Sequence, residues 1–149
     1  SGKHNLTDAT DTSLDVGKLV LSPTRTYAPV MIEVLKKYRS AIDGIVHCSG
    51  GAQTKVLHFT ENVHIIKDNL FEIPPLFKII HEQSGTDWKE MYKVFNMGHR
   101  LEIYVNEEHA QGIIDIANSF NIEAKIIGRV ETSTSNTLTL KDQGQVFEY

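Results

Sequence analysis

Residues 101–120, Leu101-Glu102-Ile103-Tyr104-Val105-Asn106-Glu107-Glu108-His109-Ala110-Gln111-Gly112-Ile113-Ile114-Asp115-Ile116-Ala117-Asn118-Ser119-Phe120, change their apolar period halfway. Leu101, Ile103 and Val105 alternate with polar or amphipathic neighbours, the period of a strand. Ala110, Ile113, Ile114, Ala117 and Phe120 recur at helical spacing. A strand feeding a helix in this way sets the pattern for the rest of the chain.

Upstream, Asn96-Met97-Gly98 breaks a helix expected over 87–95, where Asp87 and Glu90 have the spacing of a capping box. Pro74-Pro75 starts another helix whose Leu76, Phe77, Ile79 and Ile80 face inward and which ends at Gly85. Val63–Ile66 reads as a strand and Gln53–Phe59 as a short helix. Ile42–Cys48 is short, contains β-branched residues and runs into Ser49-Gly50-Gly51, the pattern of a buried strand entering a turn. Pro29 opens a helix over 29–39. Downstream, Lys125–Val130 and Thr137–Leu140 read as strands around a polar turn at 131–137, and Val146–Tyr149 as an edge strand. The sum is an α+β domain with a mixed β-sheet covered by helices. Residues 1–16 have no apolar period and read as a polar lead-in, extended or partly disordered; residues 17–149 form a single domain.

With 149 residues, 40% of them apolar, the chain can bury one core and has no room for two full domains. Nineteen acidic against 15 basic residues give a net charge of −4, so the footprint of a nucleic-acid binder is missing. No apolar run nears the roughly 20 residues that cross a bilayer. No membrane partner is expected, and the location implied is cytoplasmic. The single cysteine, Cys48, fits a reducing compartment. The polar start without methionine points to a piece of a longer chain.

Three polar clusters could carry chemistry. In His47-Cys48-Ser49-Gly50-Gly51 a glycine pair after a strand lets the backbone approach an anion, although an ordinary strand-to-helix turn has the same spacing. Neither a Walker loop nor a GxGxxG pattern is present. Adjacent strand residues point to opposite faces, which disfavours a His47–Cys48 nucleophilic dyad. His47 can donate to a phosphate or sit neutral in the core. Asn96-Met97-Gly98-His99-Arg100 joins an amide, a glycine and a cation, and reads equally as a helix C-cap with a solvated arginine. Arg25, within Ser22–Tyr27, can clamp a carboxylate or phosphate or form a structural ion pair. The seven histidines lack metal-binding spacing, so no zinc site is expected.

Taken in order, Pro23-Thr24-Arg25-Thr26-Tyr27, His47-Cys48-Ser49-Gly50-Gly51, Pro74-Pro75-Leu76-Phe77 and Glu90-Met91-Tyr92-Lys93-Val94-Phe95-Asn96-Met97-Gly98 resemble the carboxy-terminal domain of aminoimidazole ribonucleotide synthetase, the phosphoribosylformylglycinamidine cyclo-ligase family. The resemblance implies a purine-biosynthetic ligase that couples ATP hydrolysis to imidazole ring closure on formylglycinamidine ribonucleotide. In such a ligase the formyl oxygen is activated by phosphorylation, a substrate nitrogen then displaces phosphate, and magnesium assists. It also implies that ATP and Mg are held mainly by the protein's own amino-terminal ATP-binding domain. The whole enzyme would be a homodimer, and this domain alone would be inactive. His47 takes the catalytic place. Arg25, Ser49, Gly50, Gly51, Asn96 and Gly98 take substrate- or nucleotide-binding places toward a phosphorylated small molecule.

Two departures stand out. Ala52 replaces a third glycine, which demands ordinary φ there. His99-Arg100 adds bulk and charge where the family has small, apolar residues. Related ATP-dependent synthetases or kinases, such as selenophosphate synthetase or thiamin monophosphate kinase, are the neighbouring reading. A non-catalytic domain binding a phosphorylated metabolite or a partner is the more distant one.

Overall fold

Two antiparallel strands, β1 (Ile42–His47) and β3 (Leu101–Val105), form a ribbon at the centre of the chain. The register pairs Val46 with Glu102 and His47 with Leu101, with an irregularity between Ile42 and Gly44. The computed structural model describes residues 3–22 and 25–149; Ser1, Gly2 and the Pro23-Thr24 part of the Pro-Thr-Arg motif lie outside the described residues.

One face of the ribbon meets two helices, α2 (Ala28–Tyr38) and α5 (Glu107–Ser119). Their Val30, Val34, Ile113 and Ala117 form a cluster against which Ile42, Ile103 and Val105 pack. In this layer the Tyr38 hydroxyl lies directly over Gly112, in the space a Cβ would take, so a side chain there would push the Tyr38 ring aside. The other face meets a four-stranded sheet ordered β4 (Gly128–Thr132), β2 (Val63–Lys67), β5 (Thr137–Asp142), β6 (Gln145–Glu148). Its β2–β5 pair is parallel and the other pairs antiparallel, so the sheet is mixed and the fold α+β. Val46, Cys48, Val56, Ile65 and Leu138 fill the space between ribbon and sheet. A further cluster of Ile73, Met91, Tyr92, Met97 and Leu140 lies under α4 (Trp88–Val94). Each fully buried aliphatic side chain here contributes about 1.5–3 kcal/mol.

Several local expectations change. The alternation in β3 does not leave its polar position exposed: Glu102 is buried, and Leu101, Ile103 and Val105 are only half-buried. The ribbon face that carries Glu102 lies against the four-stranded sheet, where Lys67 of β2 neutralises the carboxylate (2.6 Å), whereas the helix side leaves Ile45 exposed. The strand expected at Lys125–Val130 starts at Gly128. Before it, residues 122–127 are tied to the β2 exit by side chains instead of a ladder: Lys125 Nζ donates to Leu70 O (2.6 Å) and Asn69 Nδ2 to Ile126 O (2.6 Å). Ile127 O then accepts from both Asp68 N and Asn69 N. Residues 131 and 132 belong to β4, so the polar turn is shorter than expected.

The helix α3 (Pro75–Ser84) starts and ends at Pro75 and Gly85 as its residues dictate, but none of its side chains is fully buried. Phe77 and Ile80 only flank the α4 cluster. The segment after Gly51 winds as a 3-10 helix, Ala52–His58. In α4 the capping box is half made. Asp87 accepts from Glu90 N (3.0 Å), while the Glu90 carboxylate reaches forward to Lys93 (3.5 Å). Near the start, the Thr10 hydroxyl donates to Leu14 O (2.6 Å), and Asp15 caps the short helix α1 (Val16–Val20) through Lys18 N (2.8 Å).

Candidate functional site

The glycine turn leaves β1 with Ser49 N donating to His47 O (2.8 Å). Gly51 has φ +84° and Ala52 φ +41°, so two successive residues are left-handed. Ala52 thus keeps the backbone of a glycine rather than the ordinary φ expected of it. The smallest Cβ-bearing residue tolerates this, at a cost on the order of 1 kcal/mol. Lys55 folds back over the turn, its Nζ donating to His47 O and to Ser49 Oγ, both at 3.1 Å. Thr54 donates its N–H and its hydroxyl to Gly51 O. These bonds tie the carbonyls of His47 and Gly51 and the Ser49 hydroxyl, while Ser49 and Gly50 stay exposed. Burial and the nearby Glu102 carboxylate push the Cys48 thiol up to about 12, so it is no nucleophile near neutral pH.

The second loop, 96–100, is also left-handed at two residues, Met97 (φ +52°) and Gly98 (φ +97°). Asn96 Oδ1 accepts from Gly98 N (2.9 Å), and Asn96 O accepts from His99 N and from Gln53 Nε2 (2.8 Å). A Cβ on Gly98 would stand 3.3 Å from the Pro74 ring, so this loop packs directly on residues 72–74. His99 adds no charge. It is buried, and desolvation, with Lys67 and Lys125 adding to it, pulls its pKa down to about 3. Its neutral Nε2 accepts from Phe71 N (3.1 Å), pinning the 71–74 segment to the loop.

Both loops hang on a buried polar node that sequence reasoning missed. Lys67 Nζ donates to Gln53 O and Gln53 Oε1 (both 3.0 Å) and to Glu102 Oε1 (2.6 Å), and the Tyr104 hydroxyl donates to Glu102 Oε2 (2.7 Å). Gln53 is fully buried and links this node to Asn96. The lysine ends a β-branched strand and the glutamate alternates with apolar residues, so each alone has the pattern of an exposed position. Only their pairing across β2 and β3 reveals the node.

A cleft of about 490 Å³ opens beside the second loop. Arg25, Tyr27, Phe71, Gly98, Arg100 and Lys125 line it, with Glu72 and Glu123 also on its walls. It joins two of the expected site residues, Arg25 and Gly98. Asn96 is tied behind it, through Gln53 and Gly98. His47, Ser49, Gly50 and Gly51 do not line it. Lys125 had no motif to mark it. Arg100 is half-buried and, among the described residues, makes no ion pair. Three cations around one cavity can hold an anion. The described residues include no group of three or more His, Cys, Asp or Glu that could hold a metal ion, and none of their helices is long and apolar enough to cross a membrane.

A family model described as AIR synthase related protein, C-terminal domain, matches residues 3–141. The chain is similar to the phosphoribosylformylglycinamidine cyclo-ligase of Methanococcus vannielii, 34% identical over 143 residues that cover 93% of this chain and 40% of that protein. It is 37% identical over 116 residues to the cyclo-ligase of Methanopyrus kandleri, covering 78% of this chain and 33% of that protein. With the Methanocaldococcus jannaschii cyclo-ligase the identity is 34% over 131 residues, 88% of this chain and 37% of that protein. The chain thus spans well under half the length of these curated relatives. Its motifs, its α+β fold and these similarities agree that the chain belongs to the AIR synthase related family and corresponds to its carboxy-terminal domain.

Proposed function

We propose that this chain is the substrate-holding carboxy-terminal domain of a phosphoribosylformylglycinamidine cyclo-ligase, an ATP-dependent ring-closing enzyme of purine biosynthesis. The observation that carries the reading is the cleft in which Arg25 of the Pro-Thr-Arg motif meets Gly98 of the Asn-Met-Gly loop. These residues come from motifs more than 70 positions apart in the chain, and the fold gathers them around one cavity with further cations.

The residues of this chain do not by themselves fit ATP with its metal. The described residues include no group of three or more His, Cys, Asp or Glu that could hold a metal ion, and the glycine turn is tied from within by Lys55 Nζ on His47 O and Ser49 Oγ. In this reading ATP and Mg are held mainly by the protein's own amino-terminal ATP-binding domain, where they would supply the phosphoryl group that activates the formyl oxygen. The part of this chain is to bind and orient. Arg25, Arg100 and Lys125 hold the anionic end of the ribonucleotide, and the His99 link to Phe71 keeps the cleft wall in place. His47, on the ribbon edge, keeps its place as the candidate catalytic histidine. Ser49, Gly50 and Gly51 form a wall against the partner domain. The assembled enzyme is a cytoplasmic homodimer in this reading.

The test is to express the complete reading frame that carries this chain and assay ATP-dependent conversion of formylglycinamidine ribonucleotide to aminoimidazole ribonucleotide. Product formation is expected. A full-length protein that binds ATP and turns over a different substrate would replace the reading with that of a related synthetase or kinase, an outcome to which Arg100 lends weight.

A further inference from the structure

We propose that β4 is a self-pairing edge, through which two copies of this domain associate about a two-fold axis at Val130. β4 closes one side of the four-stranded sheet, and among the described residues its one strand neighbour is β2. Arg129 to Thr132 are all exposed, and Val130 keeps 48% of its surface in solvent. The contact belongs to this domain alone and does not rest on the ligase reading.

The phase of the ladder shows which main-chain groups are free. The register of β4 with β2 runs unbroken from Gly128 opposite Lys67 to Thr132 opposite Val63. Beyond its two ends, Ile127 O accepts from Asp68 N (3.1 Å) and Ser133 N donates to Asn62 O (2.9 Å). Ile127, Arg129, Glu131 and Ser133 therefore turn their N–H and C=O groups toward β2, and Gly128, Val130 and Thr132 turn theirs to the open edge. A second copy laid antiparallel, Val130 against Val130, meets them in hydrogen-bonded positions. Val130 then bonds to its own equivalent, and Gly128 of each copy to Thr132 of the other. Both strands keep their pairing with β2.

The side chains select a second copy as the occupant. Charges on an edge strand ordinarily discourage pairing. Here they are of opposite sign and stand symmetrically about Val130, so the two-fold axis sets Arg129 of each copy opposite Glu131 of the other. These are the non-hydrogen-bonded positions, where facing side chains lie closer together. Within one chain Arg129 donates through Nε to Glu131 (2.7 Å) and through Nη1 to Asp68 (2.9 Å), which leaves Nη2 for the facing carboxylate. A slip of two residues in either direction brings Glu131 against Glu131 or Arg129 against Arg129, so the same charges fix the register. On the opposite face the exposed Val130 side chains close on each other. The other edge of the sheet lacks this symmetry: β6 carries Glu148 as its one charge, and the Thr139 hydroxyl already donates to it (2.8 Å).

Two strands of five residues make a small interface. It falls below the roughly 1,200 Å² of a stable complex, so a weak dimer is expected, with Kd on the order of 0.1–1 mM. The experiment is sedimentation equilibrium of this chain at concentrations up to about 2 mM, which spans that range. Arg129→Glu and Glu131→Arg each set like charges opposite one another across the axis, and each alone should weaken association by about tenfold or more. Mixed in equal amounts, the two variants should associate about as well as the wild type, because the glutamates of one then face the arginines of the other. Mixing would not restore a loss caused by a changed fold or by the broken Asp68 contact. Circular dichroism confirms that each variant is folded. The proposal is overturned if the wild type stays monomeric throughout, if either variant alone associates as the wild type does, or if the mixture fails to recover.

Discussion

The glycine turn at 47–52 and the loop at 96–100 are built alike and end up different. Each carries two consecutive left-handed residues, Gly51-Ala52 and Met97-Gly98, and each reaches the buried node through Gln53. In the turn, Lys55 holds the His47 carbonyl and the Ser49 hydroxyl and Thr54 holds the Gly51 carbonyl, while Gly50 stands in open space. At the loop, Arg100 and Gly98 open onto a cavity that also holds Arg25 and Lys125. Glycine content reports backbone geometry in both places, whereas polar groups left without internal partners mark where a ligand can bind.

The comparison breaks most completely if the shared node is removed. Lys67→Met leaves the Glu102 carboxylate buried without its cation and should cost about 3–5 kcal/mol in urea unfolding. It should disturb both loops together. A loss under about 1 kcal/mol would mean that the loops stand independently of the node.

Acid should act on the second loop through His99. The unfolded chain protonates this histidine near its ordinary value of 6.5, and the folded chain only near 3. The unfolded state therefore binds the extra proton between these values. Its contribution is fully present above about pH 6.5 and is lost as pH falls toward 3, by up to roughly 4 kcal/mol. A His99→Gln variant should flatten that part of the stability profile. An unchanged slope would place the acid sensitivity elsewhere.

Much of this architecture could be read from the chain. Pro75 and Gly85 bound α3, Asp87 caps α4, and the change of period at Asn106 separates β3 from α5. These are local signals with local causes. The site was less legible for a physical reason. Arg25 and Gly98 belong to motifs, but Lys125 gains meaning only where residues 122–127 cross the β2 exit. Lys67 and Glu102 look like surface residues until β2 faces β3. His99 reads as a charge in sequence, and burial makes it a neutral acceptor.

Smaller effects sharpen the contrast between the loops. Gly98→Ala places a Cβ at φ +97° and 3.3 Å from the Pro74 ring, and should destabilise by about 1–3 kcal/mol while narrowing the cleft. Ala52→Gly relieves a left-handed alanine but removes a buried methyl, and should change stability by less than about 1 kcal/mol without touching the cleft. Thermal or urea unfolding of the pair gives both values. A larger loss at Ala52 than at Gly98 would reverse this ranking of the two left-handed pairs.

The most direct measurement of the central claim is a residue-resolved amide NMR titration of this chain with ribose 5-phosphate. The cleft account predicts saturable shifts at Gly98, Arg100 and Lys125, with Gly50 and Gly51 unmoved. Saturable shifts at Gly50 and Gly51, with Gly98, Arg100 and Lys125 silent, would contradict it and return the ligand to the glycine turn.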